Sequence, residues 1–579
     1  MSDARVETPG ALGGGADLLA RLRRIDLSAL LWVGLFIVLL VLVAGPIGYL
    51  IKISFQAKGT GAFTFANYLE AYGKARYLQG LVNSLALGFC TMLLAVVFAV
   101  PMAWAVSRTN MPCKWLAWAA VLGAFVLPPY LTAVSWILMA APQSGWLNEG
   151  ARWLTGSPTP LFNIYSFTGM VLVIGLNSFP YIFLFTKSAL DMISTELEEA
   201  ASILGAPSWY TLLKVTLPLV WPSILGSVIL VFLEAIALLG VPALLGIPAR
   251  MTLATTQLMQ FFSYPLKVET AAAYAIPLLL ITITLIFVQR LLLSRKGYVT
   301  QTGKGGERRP LDLGGWKWLL LGWCVFVGAL AIYLPGYSIF AASISRAWAL
   351  GLSVGNLTLD NYRDVLFGQS LSRDAILNSF EFAFYAASIA LVIAFFVAYA
   401  VTRRLVMFGE VLTFLCMAPF VIPGIVLAIG FYAAYAAPPM ALYGTSALIV
   451  LAFVARFLPI AFGTASAGIR AIHPEMEEAV RILGGSRLTA IRHVVAPLLK
   501  KTLFAAFLLV FIPATRELSA AIFLVAPKTR VASVLIYDLT EEGRFEVVSA
   551  IGCIVLVTTI FLVWLGFKLT GRDFMLRTK

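Results

Sequence analysis

Apolar residues in this chain run in stretches of twenty or more, broken by short segments where charges gather. A helix needs about 20 apolar residues to cross a bilayer. On that rule the pattern predicts twelve spans, the first six near 28–51, 81–106, 115–141, 165–187, 219–241 and 271–293. The second six fall near 316–343, 376–402, 410–436, 442–468, 503–525 and 547–570. Between the sets lies a polar, glycine-rich, basic stretch at 294–315 that contains TGKGGERRP, the composition of a flexible connector. The expected fold is an all-α membrane protein of two six-helix bundles, 28–293 and 316–570, with tails at 1–27 and 571–579.

Composition agrees, with 60% of residues hydrophobic and only 12% charged, far from the balance of a soluble domain. The formal net charge of +14 raises the question of nucleic acid, but the basic residues flank the spans instead of forming a stripe with exposed aromatics. Arg21, Arg23 and Arg24 precede the first span, and Arg108 and Lys114 follow the second. Arg295, Lys296, Lys304, Arg308 and Arg309 lie in the connector. Arg403, Arg404, Arg470, Arg481, Arg487, Arg492, Lys500 and Lys501 continue the alternation, and Arg572, Arg577 and Lys579 end it. Every second loop is therefore basic, which predicts both termini in the cytoplasm and no nucleic-acid partner. The first run, Ser28 to Ile51, is too long for a cleavable signal and reads as a retained span. Five scattered cysteines without a CxxC pair, and two histidines (His473 and His493), predict neither a disulfide framework nor a metal site.

Self-comparison is more informative. LEEAASILGAPSWYTLLKVTLPLV from Leu197 matches MEEAVRILGGSRLTAIRHVVAPLL from Met476. Glu199 and Glu478, Gly205 and Gly484, and Pro218 and Pro497 are each 279 positions apart. Upstream, Asn83-Ser84 matches Asn378-Ser379, and FVLPP at Phe125 matches FVIPG at Phe420, both with a shift of 295. The first half thus holds 16 extra residues between these markers, which fall in the long loop around Gln143 to Asn163. Equal span counts in the same orientation make the halves parallel repeats about an axis along the membrane normal.

The repeated loops, 191–218 and 470–497, lie on the basic side between the fourth and fifth spans of each half. Their acids suit the positive end of a helix dipole. Alanines keep that helix slim, glycine ends it, and proline opens the next span, where a missing N–H costs little. This pattern predicts a short helix across the membrane face, open to a partner. In sequence the loops resemble the EAA loop of ABC importer permeases: Glu199-Ala200-Ala201, Gly205 and Leu217-Pro218 in the first copy, Glu478-Ala479, Gly484 and Pro497 in the second. Val480 and Ala496 are mild departures from that pattern. The resemblance covers nearly the whole chain and implies the type I importer fold, two domains fused. It implies that these loops are coupling helices seated on two copies of an ATPase subunit, and that a periplasmic or lipid-anchored binding protein delivers substrate at the inner membrane of a bacterium. No G-x-x-x-x-G-K-[ST] loop is present, so ATP and Mg²⁺ are expected on the partner, with no cofactor or catalytic residue in this chain.

Glu234 in the fifth span and Arg516-Glu517 in the eleventh are the intramembrane charges, and such groups default to function. Gating or translocation and a structural Glu234–Arg516 lock both fit. Arg456 in the tenth span and Glu381 early in the eighth are weaker candidates. Pro128, Pro129, Pro419 and Pro423 predict kinked third and ninth spans. The N-Y pairs Asn67-Tyr68 and Asn361-Tyr362, with GVPALLGIPAR from Gly240 and the stretch from Thr515, look like ferric-iron importer permeases. Thiamine, polyamine, aminoethylphosphonate and sugar phosphate are the alternatives. The spans show no carboxylate, tyrosine and histidine cluster for a trivalent cation. An ion-coupled secondary transporter is disfavoured, because SRTNMPCK from Ser107 lacks the major facilitator signature. A membrane enzyme is disfavoured by the absence of any nucleophile–base spacing.

Overall fold

A computed structural model describes residues 27–192, 196–294, 310–351, 353–368 and 370–570. The tails, the connector at 295–309 and their basic residues (Arg21, Arg23, Arg24, Arg295, Lys296, Lys304, Arg308, Arg309, Arg572, Arg577 and Lys579) lie outside it, as does the side chain of Glu199. Among the described residues ten helices are long and apolar enough to cross a membrane, and two bent pairs bring the number to twelve. The single helices are Trp32–Ser54, Ala75–Arg108, Phe167–Met192, Leu212–Ala237 and Val268–Gln289 in the first half. In the second they are Trp316–Ser343, Ser370–Thr402, Ser446–Arg470, Arg487–Thr515 and Phe545–Gly566. Their outer faces expose large apolar side chains such as Phe89, Phe287 and Val557, as a lipid solvent requires.

The third and ninth spans correct the expectation of a kink. Lys114–Val126 and Pro129–Ala140 meet at 105°, and Gly409–Val421 and Gly424–Tyr435 at 114°, so each is a break. The cause is local: a residue before proline is pushed out of the helical region. Leu127 (ψ 119°) precedes Pro128 (ψ 140°), which itself precedes Pro129, and Ile422 (ψ 123°) precedes Pro423 (ψ 138°). Elsewhere proline is absorbed without a break. Pro46, Pro218, Pro335 and Pro497 each sit two residues after a π turn, at Leu40–Ala44, Leu212–Thr216, Ala329–Tyr333 and Ile491–Val495. The wider turn relieves the ring's clash with the preceding carbonyls. The fifth and eleventh spans therefore begin inside the repeated loops, upstream of their prolines.

The halves exchange their first spans. Gly45–Ser54 packs on Gly424–Tyr435 of the second half, and Leu334–Ser343 packs on Pro129–Ala140 of the first. The close approach needs glycine, since a Cβ at Gly430 would lie 2.8 Å from the Pro46 carbonyl oxygen. Tyr435 donates its hydroxyl proton to the Val41 carbonyl at the same contact. The second and fourth spans of the first half pack along their length, as do the eighth and tenth of the second. The N-Y pairs close the turns after the swapped spans. Asn67 Nδ2 donates to the Ser54 and Gln56 carbonyls, Asn361 Nδ2 to those of Ser343 and Ser345, and the Tyr68 and Tyr362 hydroxyls lie 2.8 Å from Ser54 and Ser343. The extra residues of the first half form the helix Trp146–Thr155, whose Trp146 Nε1 donates to the Trp348 carbonyl across the halves at 3.0 Å.

Candidate functional site: two loops and an intramembrane seam

The acids and alanines of the two repeated loops form the helices Glu196–Ile203 and Glu475–Ile482. Gly205 and Gly484 terminate them with the same φ of +84°, a left-handed conformation that glycine adopts freely. Nothing lies within 4 Å of a Cβ built at either, so the requirement is for the backbone angle and not for space. The turn is closed by Ala206 N–H to the Ala201 carbonyl (3.0 Å) and by Gly485 N–H to that of Val480 (2.9 Å), a Schellman-type stop. It leaves an apolar pair at each tip: Ile203 and Leu204 are 85% and 87% exposed, Ile482 and Leu483 84% and 88%. Ala200, Glu478 and Ala479 are exposed beside them. Two protruding apolar tips in the same register are a surface of the kind that marks protein contact.

Below each tip lies an ion pair that reasoning from the sequence missed. It singled out Glu199 and Glu478, but the preceding acids, Glu198 and Glu477, are the ones turned inward. Arg108, 4% exposed, lies 3.6 Å from Glu198 and donates to the Leu190 carbonyl at 2.8 Å. Arg403 lies 2.6 Å from Glu477 and donates to the Ile472 carbonyl at 3.0 Å. Each carboxylate gains one hydroxyl from a different element: Thr216 Oγ1 donates to Glu198 at 2.7 Å, and the Tyr399 hydroxyl to Glu477 at 2.6 Å. Each loop helix is thereby tied to the end of the second or eighth span. The signal was present, because both loops have an acidic doublet and the two arginines are 295 positions apart.

Of the two readings open for the intramembrane charges, the lock is not formed as a direct ion pair between Glu234 and Arg516, although Arg516 acts on the Glu234 carboxylate. No direct ion pair joins them among the described residues. Arg516 reaches across the halves to the broken third span, donating to the Phe125 (2.6 Å) and Val126 (3.0 Å) carbonyls with its guanidinium 5.6 Å from the Phe125 ring. Arg456 does the same within its own half, donating to the Ile422 carbonyl at the break of the ninth span at 2.8 Å. Both arginines cap carbonyls that helix ends leave unpaired, at the negative end of the dipole. Glu517 Oε1 accepts from Ala520 N–H at 3.0 Å, beside Gly424, whose Cβ would lie 3.3 Å from that oxygen. Glu381 is exposed on the surface.

The fold also gathers, around the Glu234 carboxylate, the hydroxyls of Ser178 and Tyr181, with Arg516 and Arg456 near. The spacing in the sequence shows no such oxygen cluster. One Glu234 oxygen, Oε2, is buried without a hydrogen-bond partner. The positive charge of Arg516 and Arg456 acting on this carboxylate opposes a bare cation resting there.

These loops and spans match a family model described as the binding-protein-dependent transport system inner membrane component, over residues 72–298 and 390–570. The chain belongs to that family. Each match contains one of the repeated loops, so this permease is two fused copies of the family domain. It is similar to the ferric transport system permease protein FbpB of Actinobacillus pleuropneumoniae, 29% identical over 510 residues, 86% of this chain and 72% of that one. It is similar also to the Fe(3+)-transport system permease protein FbpB 2 of Haemophilus influenzae, 23% identical, covering 82% of this chain and 87% of that one. Among solved structures, a bacterial ABC transporter involved in import of the acidic polysaccharide alginate matches with TM-score 0.41 and 14% identity, over 48% of this permease and 99% of that chain. The permease is a multi-pass inner-membrane transport subunit of the ABC importer class.

Proposed function

We propose that the chain is the transmembrane pathway of an ATP-driven importer for ferric iron, with two ATPase copies seated on its two loops. The supporting observation is the pair of exposed tips, Ile203-Leu204 and Ile482-Leu483, backed by buried ion pairs that make each loop helix rigid with a span. A push on either tip is then transmitted to the bundle as a body, not dissipated in a soft loop. The sequence has no phosphate-binding loop, so ATP and Mg²⁺ belong to the partner. The basic loops favour a cytoplasmic side for these tips and both termini, and in this reading a periplasmic or lipid-anchored binding protein delivers cargo to the opposite face. The names of the full-length relatives favour ferric iron over thiamine, polyamine, aminoethylphosphonate or sugar phosphate. Arg516, Glu234 and Glu517 form the gate in this reading, because Arg516 holds a second-half span to first-half carbonyls at the break. Separation of the halves has to release that contact.

The test is reconstitution. The purified permease alone hydrolyses no ATP; with its ATPase and binding protein in proteoliposomes it takes up radiolabelled ferric iron only when ATP is supplied. Robust hydrolysis by the chain alone sinks the coupling role, and ATP-driven uptake of another cargo with no iron uptake sinks the substrate assignment.

A further inference from the structure

The two halves differ at the end of the second span and its counterpart, the eighth. In the first half this corner is covered. Leu311 N–H donates to the Arg108 carbonyl at 2.9 Å, its carbonyl accepts from Asn110 N–H at 3.1 Å, and Asn110 Nδ2 donates to Asp312 at 2.6 Å. The corresponding stretch from Arg403 to Leu405 has no such cover among the described residues. It opens instead into a pocket of 280 Å³ between the eighth span and the second loop helix.

Four arginines, Arg403, Arg404, Arg481 and Arg487, line that pocket against two acids, Glu477 and Glu478. Arg403 is spent on Glu477 at 2.6 Å. The other three form no ion pair among the described residues, and Glu478 is the second acid lining the pocket with them. Arg404 holds a φ of +51°, uncommon for a residue with a Cβ. Thr402 Oγ1, also in the pocket wall, is buried without a hydrogen-bond partner. At the first-half counterparts of the four arginines stand Arg108, Thr109, Ser202 and Ser208, so the excess of positive charge belongs to the second half alone.

We propose that this pocket is a binding site for a phosphate group. Guanidinium groups present planar forks of donors that match phosphate oxygens, and an anion relieves their mutual repulsion. The volume holds one phosphate with a small polar appendage. Two sources share that chemistry, free inorganic phosphate and the phosphodiester headgroup of an anionic lipid. Either one cross-links Arg404, after the eighth span, to Arg481 and Arg487 on the second loop, and so stiffens one coupling helix while leaving the other unchanged. The site needs only the pocket and is independent of the cargo.

The full chain in phosphatidylcholine nanodiscs is titrated calorimetrically with inorganic phosphate. In a second arm, phosphatidylglycerol retention is read by native mass spectrometry. Arg404→Gln with Arg487→Gln weakens phosphate binding or lipid retention at least tenfold. Arg470→Gln, an exposed arginine outside the pocket, changes neither, and Arg404→Lys with Arg487→Lys restores part of the loss, which separates the site from misfolding. Phosphate binding identifies the free anion as the source; retention of phosphatidylglycerol alone identifies the lipid. No ligand held in either arm, or equal retention by wild type and the double Gln variant, would overturn the proposal.

Discussion

The first and second coupling loops share a backbone and differ in what surrounds it. In both, a short helix ends at a glycine with φ +84°, an Ile-Leu pair protrudes, and an inward-turned glutamate meets an arginine at the end of the second span of its own half. What repeats at a fixed register is what the proposed ATPase contacts would share. What fails to repeat is the support. Glu198 is helped by Thr216 from the start of the fifth span, Glu477 by Tyr399 from the end of the eighth. Two solutions to one electrostatic need show that the buried carboxylate is the invariant and its hydroxyl partner the free choice.

The sharpest way to break this equivalence is to remove the arginines. Truncating one partner of a buried ion pair costs about 3–5 kcal/mol, because a charge is left uncompensated. Arg403→Ala is expected to lower the unfolding midpoint in mild detergent more than Arg108→Ala, since the second pair is closer, 2.6 Å against 3.6 Å. Removing both charges, Arg403→Ala with Glu477→Ala, should be milder than Arg403→Ala alone. If all three variants unfold together at the wild-type midpoint, the ion pairs are not what ties the loops to the bundle. The hydroxyls come next, at about 1.5–3 kcal/mol for a hydrogen bond to a charged group. Tyr399→Phe should destabilise without altering Thr216→Val behaviour, and the two losses should add, because each serves a different loop. Strong non-additivity in the double variant would count against two independent anchors.

This comparison also shows how far the sequence could be read. The loops were legible because Glu199, Gly205 and Pro218 recur 279 positions on. The inward turn of Glu198 was not, since its partner Arg108 is ninety residues away and nothing in a single loop says which acid of a doublet faces the bundle. Pro128-Pro129 and Pro423 marked the third and ninth spans as irregular. Whether proline kinks or breaks a span depends on the residue before it, and at Leu127 and Ile422 that residue went extended. Pro218 and Pro497 were absorbed by π turns instead. The seam was the least legible: Arg516 serves carbonyls 390 and 391 positions away in the other half, and no periodicity encodes that. Its charges are also not repeated, with Asn177 standing where the second half has Arg456, and Ala237 where it has Arg516.

The glycines should lose less stability than the ion pairs and yet affect transport most directly. A side chain held in the left-handed region costs about 1–2 kcal/mol, and at these exposed turns the chain relaxes in part. Gly205→Leu with Gly484→Leu should therefore leave the permease inserted with a nearly unchanged midpoint, while abolishing ATP-dependent uptake or complex assembly. Each single variant should have an intermediate effect. Wild-type uptake in the double variant would remove the case that the reversed turn sets the position of the apolar tips.

The smallest expected effect lies where the halves diverge without consequence for coupling. Glu70 accepts from Lys267 at 2.6 Å and from Thr270 at 3.0 Å, closing the short helix Ala66–Gly73 onto the start of the sixth span. At the corresponding positions of the second half stand Asp364 and Glu546, two acids, and Glu546 accepts from Trp348 N–H instead. The hydrogen bond from Lys267 holds the Glu70 carboxyl below its usual value of 4.5. A carboxyl lowered on folding stabilises at every pH above its unfolded value and loses that contribution as pH falls through the folded one. The pair is about one-third exposed, and solvent screening keeps its worth below about 1 kcal/mol. Glu70→Gln should therefore lower the unfolding midpoint slightly at pH 7, and the difference should shrink as pH falls through the lowered folded value, where the wild-type carboxyl takes up its proton. Asp364→Asn, at a position with no cationic partner among the described residues, should show no such difference. An equal, pH-independent loss in both variants would mean that packing of these short helices, and not the ion pair, distinguishes the two halves at this face.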